Sequence, residues 1–384
     1  MSHSALFVTT VPITLGAFLV PFAAHFRAQG WRVDALSNGA TQYAPIYATF
    51  DNRYDITWSR NPLNPNDLFD TWARVRRVVI EGGYDVVHVH TPIAAFMTRY
   101  ALRSLPEKER PVVIYTAHGF HFFKGQGLLG HAAFRTMERI AAPWTDYLVT
   151  INRQDFEAAR RFRGIPAERV RYIPGIGVDV DRFAEGVISA QEAASVRRKL
   201  DISDDAFMLT MIAEFAPVKR HDLVIDALSR VAAERVVLAL VGQGALEAEI
   251  RDKAARLGVV DRVRFAGFRR DIPAVLAASD ALTLVSQREG LARSALEAMA
   301  AGKPVIGTDT RGISDAVATA GWIVPGNDPV ALAEAIDAAA GNRDEARRRG
   351  EIGRKRARRE FSLNRIIDAY EGLYLEAIES RRRP

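Results

Sequence analysis

The sequence predicts an α/β protein of two domains, each an open parallel β-sheet with helices on both faces. Its 384 residues exceed one ordinary domain and suit two. Short apolar runs alternate with stretches of helical periodicity, a pattern typical of parallel strands joined by helices. The alternation starts again after the glycine- and proline-containing segment 174–177, which favours a turn. We therefore expect two Rossmann-like domains whose sheets face one another across a central cleft.

The first domain is predicted over residues 1–175. Apolar residues recur at helical spacing from Leu15 to Phe26, and Gly30 follows in a position that commonly ends a helix. A last helix is predicted over 362–380, with Tyr370 and Tyr374 on its apolar face. The strands of this domain are predicted at short apolar runs, namely residues 5–9, 31–36, 86–89, 112–116 and 147–151.

The second domain is predicted over residues 176–361, with a helix at 224–233. Ligands of open parallel sheets bind at the carboxyl ends of the strands, so functional residues are expected in the loops that follow them. The strands are predicted at residues 208–212, 236–241, 263–265, 281–285, 304–306 and 322–324.

Composition excludes several classes of function. The chain has no cysteine, which excludes disulfides, thiolate nucleophiles and zinc–thiolate sites and favours a cytoplasmic location. No apolar stretch reaches the roughly 18–20 residues of a membrane span, and we expect no signal peptide. The net charge is +6, much of it in arginine clusters such as 347–349 and 354–359. These clusters predict solvated helix faces or a peripheral contact with the anionic inner face of the cell membrane. No nucleic acid partner is expected, because aromatic residues are not interleaved with them.

The segment 286–305 carries the strongest chemical signal, because it follows a predicted strand and opens a predicted helix. Glu289 and Gly290 lie at the turn, where a glycine lets the backbone approach a ligand. The first amides of a helix favour phosphate oxygens, which makes Gly290 and Leu291 candidates for a phosphate site. Glu297 lies about two turns later, where a carboxylate can accept hydrogen bonds from hydroxyl groups. Eight residues of helix span about 12 Å, wider than the carboxylate pair of a glycosidase.

This segment resembles the signature of the retaining glycosyltransferases of family 4, which have the GT-B fold. The signature is a glutamate, seven residues, a second glutamate and then Ala-Met-Ala-x-Gly-x-Pro-Val, and the chain matches it from Glu289 and Glu297 to Val305. The resemblance implies that Glu289 binds a hydroxyl of the transferred sugar and that Glu297 holds the ribose. It also implies that the C-terminal helix, residues 362–384, completes the first domain.

Other loops of the second domain are similar to the same family. Gly242 lies in a segment that resembles the family's loop near the nucleotide, and backbone groups at Phe268 and Arg269 are implied to contact the base. Lys219 matches a lysine that clamps the donor diphosphate. The resemblance therefore implies a donor site on this domain.

The chain departs from the family pattern at Glu214, which stands where a diphosphate-binding arginine is usual. A carboxylate repels a diphosphate. We therefore expect Glu214 to pair with Lys219, Arg220 or Arg293, or to bind a sugar amide, while Arg220 supplies the missing charge. Members that resemble capsule and lipid-linked-oligosaccharide enzymes carry a similar glutamate, which places the chain nearer to that subfamily.

In the first domain, a Thr-x-His-Gly-x-His motif that ends at His121 follows a predicted strand and resembles the same subfamily. It implies that His118 lies near the transferred sugar, where a neutral imidazole exchanges hydrogen bonds with hydroxyl groups. The alternative is a histidine that caps the strand end. His121 is an acceptor-side candidate, as are Thr14 and Gly16 in the first strand–helix loop. The alternative for that loop is a plain connection with Thr14 as the helix N-cap.

Two patterns suggest a metal ion, yet we predict no obligatory metal and no cofactor. We expect His88 and His90 to point to opposite faces of their strand, which would prevent them from sharing an ion. Asp179 and Asp181 match the Asp-x-Asp pattern of metal-dependent transferases, but they follow the proline–glycine hinge and not a nucleotide-binding strand.

The resemblance implies a retaining glycosyltransferase for surface polysaccharide biosynthesis. It would move a hexose or N-acetylhexosamine from a nucleotide-diphosphate donor, most simply a UDP-sugar, to a glycan or a lipid-pyrophosphate-linked saccharide. Two alternatives stay open, a UDP-sugar 2-epimerase-like enzyme of the same fold and a non-catalytic sugar-nucleotide-binding subunit. The intact set of Glu289, Glu297 and Lys219 argues against the binding subunit. A dinucleotide oxidoreductase is not expected, because no Gly-x-Gly-x-x-Gly follows the first strand.

Overall fold

A computed structural model describes residues 2–58, 65–106, 108–120 and 128–382 of the chain. The chain divides into two compact units, one formed by Met1–Ile176 with Ile366–Pro384 and the other by Gly177–Arg365. Each unit contains one sheet in which all pairings between neighbouring strands are parallel. The predicted α/β fold with two open parallel sheets is therefore confirmed.

The first unit contains a seven-stranded sheet. Its strands are β1 (Ser4–Val8), β2 (Arg32–Ser37), β3 (Arg53–Asp55), β4 (Val86–His90), β5 (Val112–Ala117), β6 (Tyr147–Thr150) and β7 (Val170–Tyr172). Their order across the sheet is β3-β2-β1-β4-β5-β6-β7. Its first helices are α1 (Pro12–Thr14), α2 (Val20–Ala28), α3 (Pro65–Gly82), α4 (Pro92–Leu102), α5 (Leu128–Ala141) and α6 (Arg153–Ala159).

The first helical segment begins earlier than predicted. α1 starts at Pro12, since proline suits the first helical position, and a π-helical turn at Leu15–Leu19 joins it to α2. Thr14 therefore lies within the helix, and the interpretation of Thr14 as an N-cap is wrong. Gly30 follows the segment with φ of 80°, a left-handed conformation that glycine adopts readily. The predicted apolar face is buried at Leu15, Leu19, Phe22 and Phe26.

The second unit contains a six-stranded sheet. Its strands are β8 (Phe207–Ile212), β9 (Val236–Val241), β10 (Val263–Gly267), β11 (Ala281–Leu284), β12 (Val305–Thr308) and β13 (Gly321–Val324), and their order is β10-β9-β8-β11-β12-β13. The helix predicted over 224–233 is observed several residues earlier, since apolar periodicity does not locate helix ends. The helices are α7 (Ala190–Lys199), α8 (His221–Leu228), α9 (Glu247–Arg256), α10 (Ile272–Ala278), α11 (Arg293–Ala300), α12 (Ser314–Val317), α13 (Pro329–Gly341) and α14 (Arg343–Glu360).

The last helix, α15 (Leu363–Arg382), belongs to the first unit from Ile366 onward. Tyr370 and Tyr374 are buried, and the Tyr374 ring stacks on Phe26 with centroids 4.8 Å apart. These contacts give the two tyrosine hydroxyls fixed positions in the core. Within the described ranges, neither α15 nor any other helix has the length of apolar sequence that crossing a membrane requires.

Strand order changes direction once in each sheet, between β1 and β4 in the first unit and between β8 and β11 in the second. Open parallel sheets bind ligands at the carboxyl ends of the strands beside such switch points. Lys219 follows β8 and Glu289 follows β11, while His118 follows β5, the neighbour of β4. The fold therefore places the main sequence-predicted residues at the edges where sites form.

Candidate functional site

The carboxyl ends of β8 and β11 carry a close ion pair. Lys219 Nζ lies 2.6 Å from Glu289 Oε1, and the Gln287 amide donates to the Val218 carbonyl at 2.9 Å between the same two loops. The loops meet because β8 and β11 are neighbours in the sheet. Solvent reaches only 14% of the Glu289 side chain and 26% of the Lys219 side chain, so the pair is screened less than a surface pair. The lysine implied for the diphosphate and the glutamate implied for the sugar are thus in contact.

Glu297 lies on the buried face of α11, with 11% of its side chain exposed. Burial raises the pKa of its carboxyl, while Arg293 and Arg182 act in the opposite direction. Arg293 Nε donates to Glu297 Oε1 at 2.9 Å. A carboxylate in such a setting accepts hydroxyl hydrogen bonds strongly, because the surrounding dielectric is low.

Two glycines allow backbone segments to meet at this edge of the sheet. Gly242 has φ of 150°, and a Cβ there would lie 2.0 Å from the carbonyl oxygen of Ala213. Gly312, in the loop after β12, has φ of 83°, and a Cβ there would lie 2.5 Å from the carbonyl oxygen of Gly290. A larger residue at either position displaces backbone. Sequence reasoning missed Gly312, whose only signal is a glycine shortly after a strand end, a feature that many loops share.

The three basic side chains that were predicted as partners of Glu214 pair with other carboxylates. Each has its own carboxylate: Lys219 pairs with Glu289, Arg220 with Asp222 and Arg293 with Glu297. Glu214 itself is exposed and forms no ion pair within the described ranges. The prediction that it pairs with one of these cations is wrong, because each cation has a nearer partner and a hydrated carboxylate gains little from pairing. The role of Arg220 towards a diphosphate stays a prediction.

The loop after β10 holds Phe268 and Arg269, the segment implied to contact the base. Phe268 is 64% exposed, and Arg269 Nε donates to Asp271 at 2.9 Å, so its guanidinium is engaged within its own loop. The Gly242 amide donates to the Gly267 carbonyl at 2.9 Å. The two loops implied to surround a nucleotide are therefore bonded to one another.

In the first unit, three histidines converge at the carboxyl ends of β4 and β5. The ring centroids of His88 and His90 are 4.0 Å apart, and His90 Nδ1 lies 2.9 Å from His118 Nε2. The expectation that His88 and His90 point to opposite faces is wrong, because side chains two residues apart in a strand share a face. Burial lowers the pKa of all three imidazoles, that of His118 to about 4, so the cluster is neutral near pH 7.

Helix α15 supplies two hydroxyl groups to this cluster. His88 Nδ1 is hydrogen-bonded to the Tyr374 hydroxyl, and His88 Nε2 lies 2.7 Å from Thr116 Oγ1. Thr116 Oγ1 in turn lies 3.0 Å from the Tyr370 hydroxyl. Sequence reasoning assigned these tyrosines only to an apolar helix face. Their hydroxyls show that the last helix also fixes the strand ends beside His118.

The remaining acceptor-side candidates lie at the start of the first helix. Gly16 lies in the π-helical turn, where a Cβ would be 2.7 Å from Cε1 of Tyr43, so glycine permits this close contact. Thr14 is partly buried on the same segment. His121 lies outside the described residues. The assignment of these positions to an acceptor stays a prediction.

The Asp-x-Asp pattern at 179–181 forms a turn. Asp179 Oδ1 accepts a hydrogen bond from the Arg182 amide at 3.2 Å, as aspartate side chains commonly do at the start of a turn. Within the described part of the chain, no group of three or more histidine, aspartate or glutamate side chains is arranged to hold a metal ion. Independence from metal stays a prediction.

Two family profiles match the chain, one in each half. The profile described as glycosyl transferases group 1 matches residues 193–356, and the profile described as glycosyltransferase family 4 matches residues 16–182. They include the loops that carry Lys219, Glu289 and His118.

Individual proteins are similar over most of the chain. A protein named as a glycosyltransferase, EpsD of Bacillus subtilis strain 168, is 32% identical over 378 residues, which cover 97% of each chain. The UDP-Gal:alpha-D-GlcNAc-diphosphoundecaprenol alpha-1,3-galactosyltransferase of Escherichia coli is 26% identical over 60% of this chain and 59% of its own. The crystal structure of Anabaena Alr3699/HepE in complex with UDP has a TM-score of 0.81 at 20% identity, covering 98% of this chain and all of the other. At that identity the last likeness concerns the fold alone.

Proposed function

The chain belongs to the group 1 and family 4 glycosyltransferases, and we propose that it is a retaining enzyme that uses a UDP-sugar. The proposed acceptor is a glycan or a lipid-pyrophosphate-linked saccharide of surface polysaccharide biosynthesis. UDP appears in the names of the E. coli relative and of the Anabaena complex, and the lipid-linked acceptor in the name of the former. These names support the donor and acceptor assignments.

One observation carries the proposal, the contact between Lys219 and Glu289 at the switch point of the second sheet. A diphosphate offers Lys219 more negative charge than one carboxylate, so in the proposed complex the lysine turns to the donor. Glu289 then accepts a hydrogen bond from a hydroxyl of the transferred sugar. Because each partner is replaced by another, neither charge is left partly buried and unpaired.

In the proposed step, the bond between the anomeric carbon and the β-phosphate oxygen breaks while the acceptor hydroxyl oxygen bonds to that carbon on the same face. The hydroxyl proton passes to the leaving phosphate, which departs as UDP. Lys219 and the amides of Gly290 and Leu291 stabilise the charge that grows on this phosphate, with Arg220 as a further candidate. Glu297 holds the ribose. The step uses neither an enzyme nucleophile nor a metal ion.

The acceptor is assigned to the first unit, where His118 would form a hydrogen bond with a sugar hydroxyl. A lipid-linked acceptor would keep the enzyme at the inner face of the cell membrane, and the net charge of +6 favours an anionic surface. Co-sedimentation with anionic vesicles at low salt, lost at high salt and not seen with neutral vesicles, is the expected result. Failure to bind would contradict the membrane assignment alone.

A transfer assay tests the proposal as a whole. The protein is incubated with UDP-, GDP-, ADP- and TDP-sugars and with GlcNAc-pyrophosphate-undecaprenol, in the presence and absence of EDTA, and the product is examined by NMR. We expect one UDP-sugar to be used, the anomeric configuration to be retained and the rate to be unchanged by EDTA. An inverted product would overturn the retaining mechanism. Conversion of a UDP-sugar to its 2-epimer without acceptor would instead identify an epimerase, and binding without turnover a binding subunit.

A further inference from the structure

His90 is a buried group that the proposed reaction does not use, yet it contacts a candidate site residue. His90 is 1% exposed, and its ring stacks on the ring of His118, with the two ring centroids 5.2 Å apart. We propose that His90 is a positioning residue that holds His118 in the tautomer with hydrogen on Nδ1, so that His118 presents a hydrogen-bond donor to its ligand. This inference rests on the proposed role of His118 at a sugar hydroxyl.

The contact between the two rings leaves only two arrangements. His90 Nδ1 and His118 Nε2 are 2.9 Å apart, and both imidazoles are neutral near pH 7, so one hydrogen lies between them. If His90 donates, the hydrogen of His118 is on Nδ1. If His118 donates, its Nδ1 is a bare acceptor. The arrangement thus decides whether His118 offers its ligand a donor or an acceptor.

The surroundings of His90 Nε2 favour the arrangement in which His90 donates to His118. His90 Nε2 is buried and has no hydrogen-bond partner within the described residues. His90 lines a small cavity together with the apolar side chains of Phe7, Leu19, Phe22 and Ile176 and with His88, His118 and Tyr370, none of which bonds to His90 Nε2. If His90 accepted from His118, its own hydrogen would lie on Nε2, and this N–H would have no acceptor. A bare lone pair there is the lesser penalty, because buried unpaired N–H groups are the rarer defect in proteins.

The exposed side of His118 imposes no contrary preference. His118 is partly buried, and its Nδ1 has no hydrogen-bond partner within the described residues, so no protein group there favours an N–H over a lone pair. The free-energy costs of the two hydrogen-bond arrangements therefore differ only at His90 Nε2. This asymmetry sets the direction of the hydrogen bond between the rings.

His88 does not compete for His90, although their rings are adjacent. Both ring nitrogens of His88 are engaged, one by the Tyr374 hydroxyl and the other by Thr116 Oγ1. The Tyr374 and Thr116 contacts hold His88 against one side of His90. The direction of the hydrogen bond between His90 and His118 therefore decides the tautomers of these two rings.

The tautomer has a chemical consequence. With hydrogen on Nδ1, His118 donates to a hydroxyl or to developing negative charge and does not remove a proton through that atom. This matches the proposed step, in which the acceptor proton passes to the leaving phosphate. His118 would then orient a sugar, and His90 would orient His118.

The direct test is the tautomer of His118, read from two-bond ¹H–¹⁵N spectra of the full chain with ¹⁵N-labelled histidine. His118→Gln identifies the His118 signals by their loss. We expect hydrogen on Nδ1 in the wild type and in His90→Asn, whose amide nitrogen lies near the position of Nδ1. In His90→Phe, which keeps a ring and removes the donor, nothing fixes the hydrogen of His118, and we expect both of its tautomers to be populated. Hydrogen on Nε2 in the wild type, or an unchanged tautomer in His90→Phe, would overturn the proposal.

Turnover gives an independent readout. His90→Phe should lower kcat by about 10- to 100-fold, the range seen when the orienting partner of a metal-bound histidine is lost, with the donor KM within about twofold. His90→Asn should recover most of kcat, and equal loss in both variants would contradict a role through the Nδ1 donor. If the wild type transfers no sugar at all, the proposed function fails, while the spectra still decide the tautomer. If the wild type is active with hydrogen on Nε2, only the role of His90 fails.

Discussion

The two units hold their candidate residues by different means. In the second unit the loops after β8 and β11 carry the ion pair of Lys219 with Glu289, and helix α11 carries that of Arg293 with Glu297. In the first unit the strand ends carry neutral histidines joined to hydroxyl groups and to one another. Ion pairs near a surface can exchange partners when a charged ligand arrives, whereas buried neutral groups depend on fixed hydrogen bonds. The difference suits a diphosphate at one unit and sugar hydroxyls at the other.

The largest effect is expected from breaking the ion pair of the second unit. Lys219→Met should lower kcat/KM by about 100- to 1000-fold, because it removes the charge that we propose stabilises the leaving phosphate. Glu289→Gln keeps the shape and removes the charge, and it should lower kcat/KM by at least about tenfold. Steady-state transfer kinetics measure both. Glu247→Gln, which removes an exposed pair with Arg251 on α9, is the control and should stay within about twofold.

Retention of near-full activity by Glu289→Gln or Lys219→Met would contradict the assignment of charge exchange to the second unit. A similar loss in Glu247→Gln would show that the effect is not specific to the pair.

A smaller effect is expected from displacing the loop that carries Glu289. Gly312→Ala should lower kcat/KM by roughly tenfold to a hundredfold, because its Cβ would push the 289–290 backbone out of position. The strained backbone should also cost about 1–3 kcal/mol of unfolding free energy. Gly326→Ala is the matched control, since a Cβ there meets nothing within 4 Å. Equal behaviour of the two variants in kinetics and denaturant unfolding would show that Gly312 does not set the loop.

The neutral cluster of the first unit predicts a loss of stability in acid. Burial lowers the pKa of His88, His90 and His118 in the folded protein, that of His118 to about 4. In the unfolded chain a histidine has a pKa of about 6.5. Between that pH and the lower pKa of the folded protein, the unfolded chain therefore binds more protons than the folded one. Stability is therefore full above about pH 6.5 and falls as pH drops. Each histidine contributes at most about 1.4 kcal/mol per pH unit. Denaturant unfolding from pH 7.5 to 5 measures the slope, and His118→Gln should reduce it. An unchanged slope would show that the folded protein does not hold His118 neutral.

The smallest effect is expected at the loop after β10. Arg269→Ala should change the donor KM by less than about threefold and stability by less than about 1 kcal/mol, because the guanidinium pairs with Asp271 and the base is assigned to backbone groups. A tenfold rise in the KM for the UDP-sugar, measured in the same assay, would instead assign the base to the Arg269 side chain.

Local signals predicted the fold and much of the candidate donor site. Apolar runs and helical periodicity placed the strands because a buried strand needs continuous apolar sequence. The segment 286–305 marked Glu289 and Glu297 because a turn, a glycine and a helix start lie next to one another in the chain. These features depend on neighbours in sequence, which is why they were visible.

Contacts between distant residues were not predictable in the same way. Lys219 contacts Glu289 across 70 positions of sequence, and His90 contacts His118 across 28. The residues of each pair lie at or after the ends of two strands that are adjacent in the sheet, and no local pattern reveals the order of the strands. The expectation for Glu214 failed partly for this reason, since Lys219 pairs with the distant Glu289, while Arg220 pairs with Asp222 in its own loop. The expectation for His88 and His90 failed on strand geometry, because a spacing of two residues places side chains on the same face.

Thermal unfolding with UDP, GDP, ADP or TDP in the presence of EDTA, on the wild type and on Lys219→Met, tests the central claim that the Lys219–Glu289 pair marks the donor site. We predict that UDP stabilises the wild type, by about 2.7 kcal/mol at a hundred times its Kd, and that most of this stabilisation is lost in Lys219→Met. Equal stabilisation of both proteins, or no stabilisation of the wild type by any of the nucleotides, would contradict the claim.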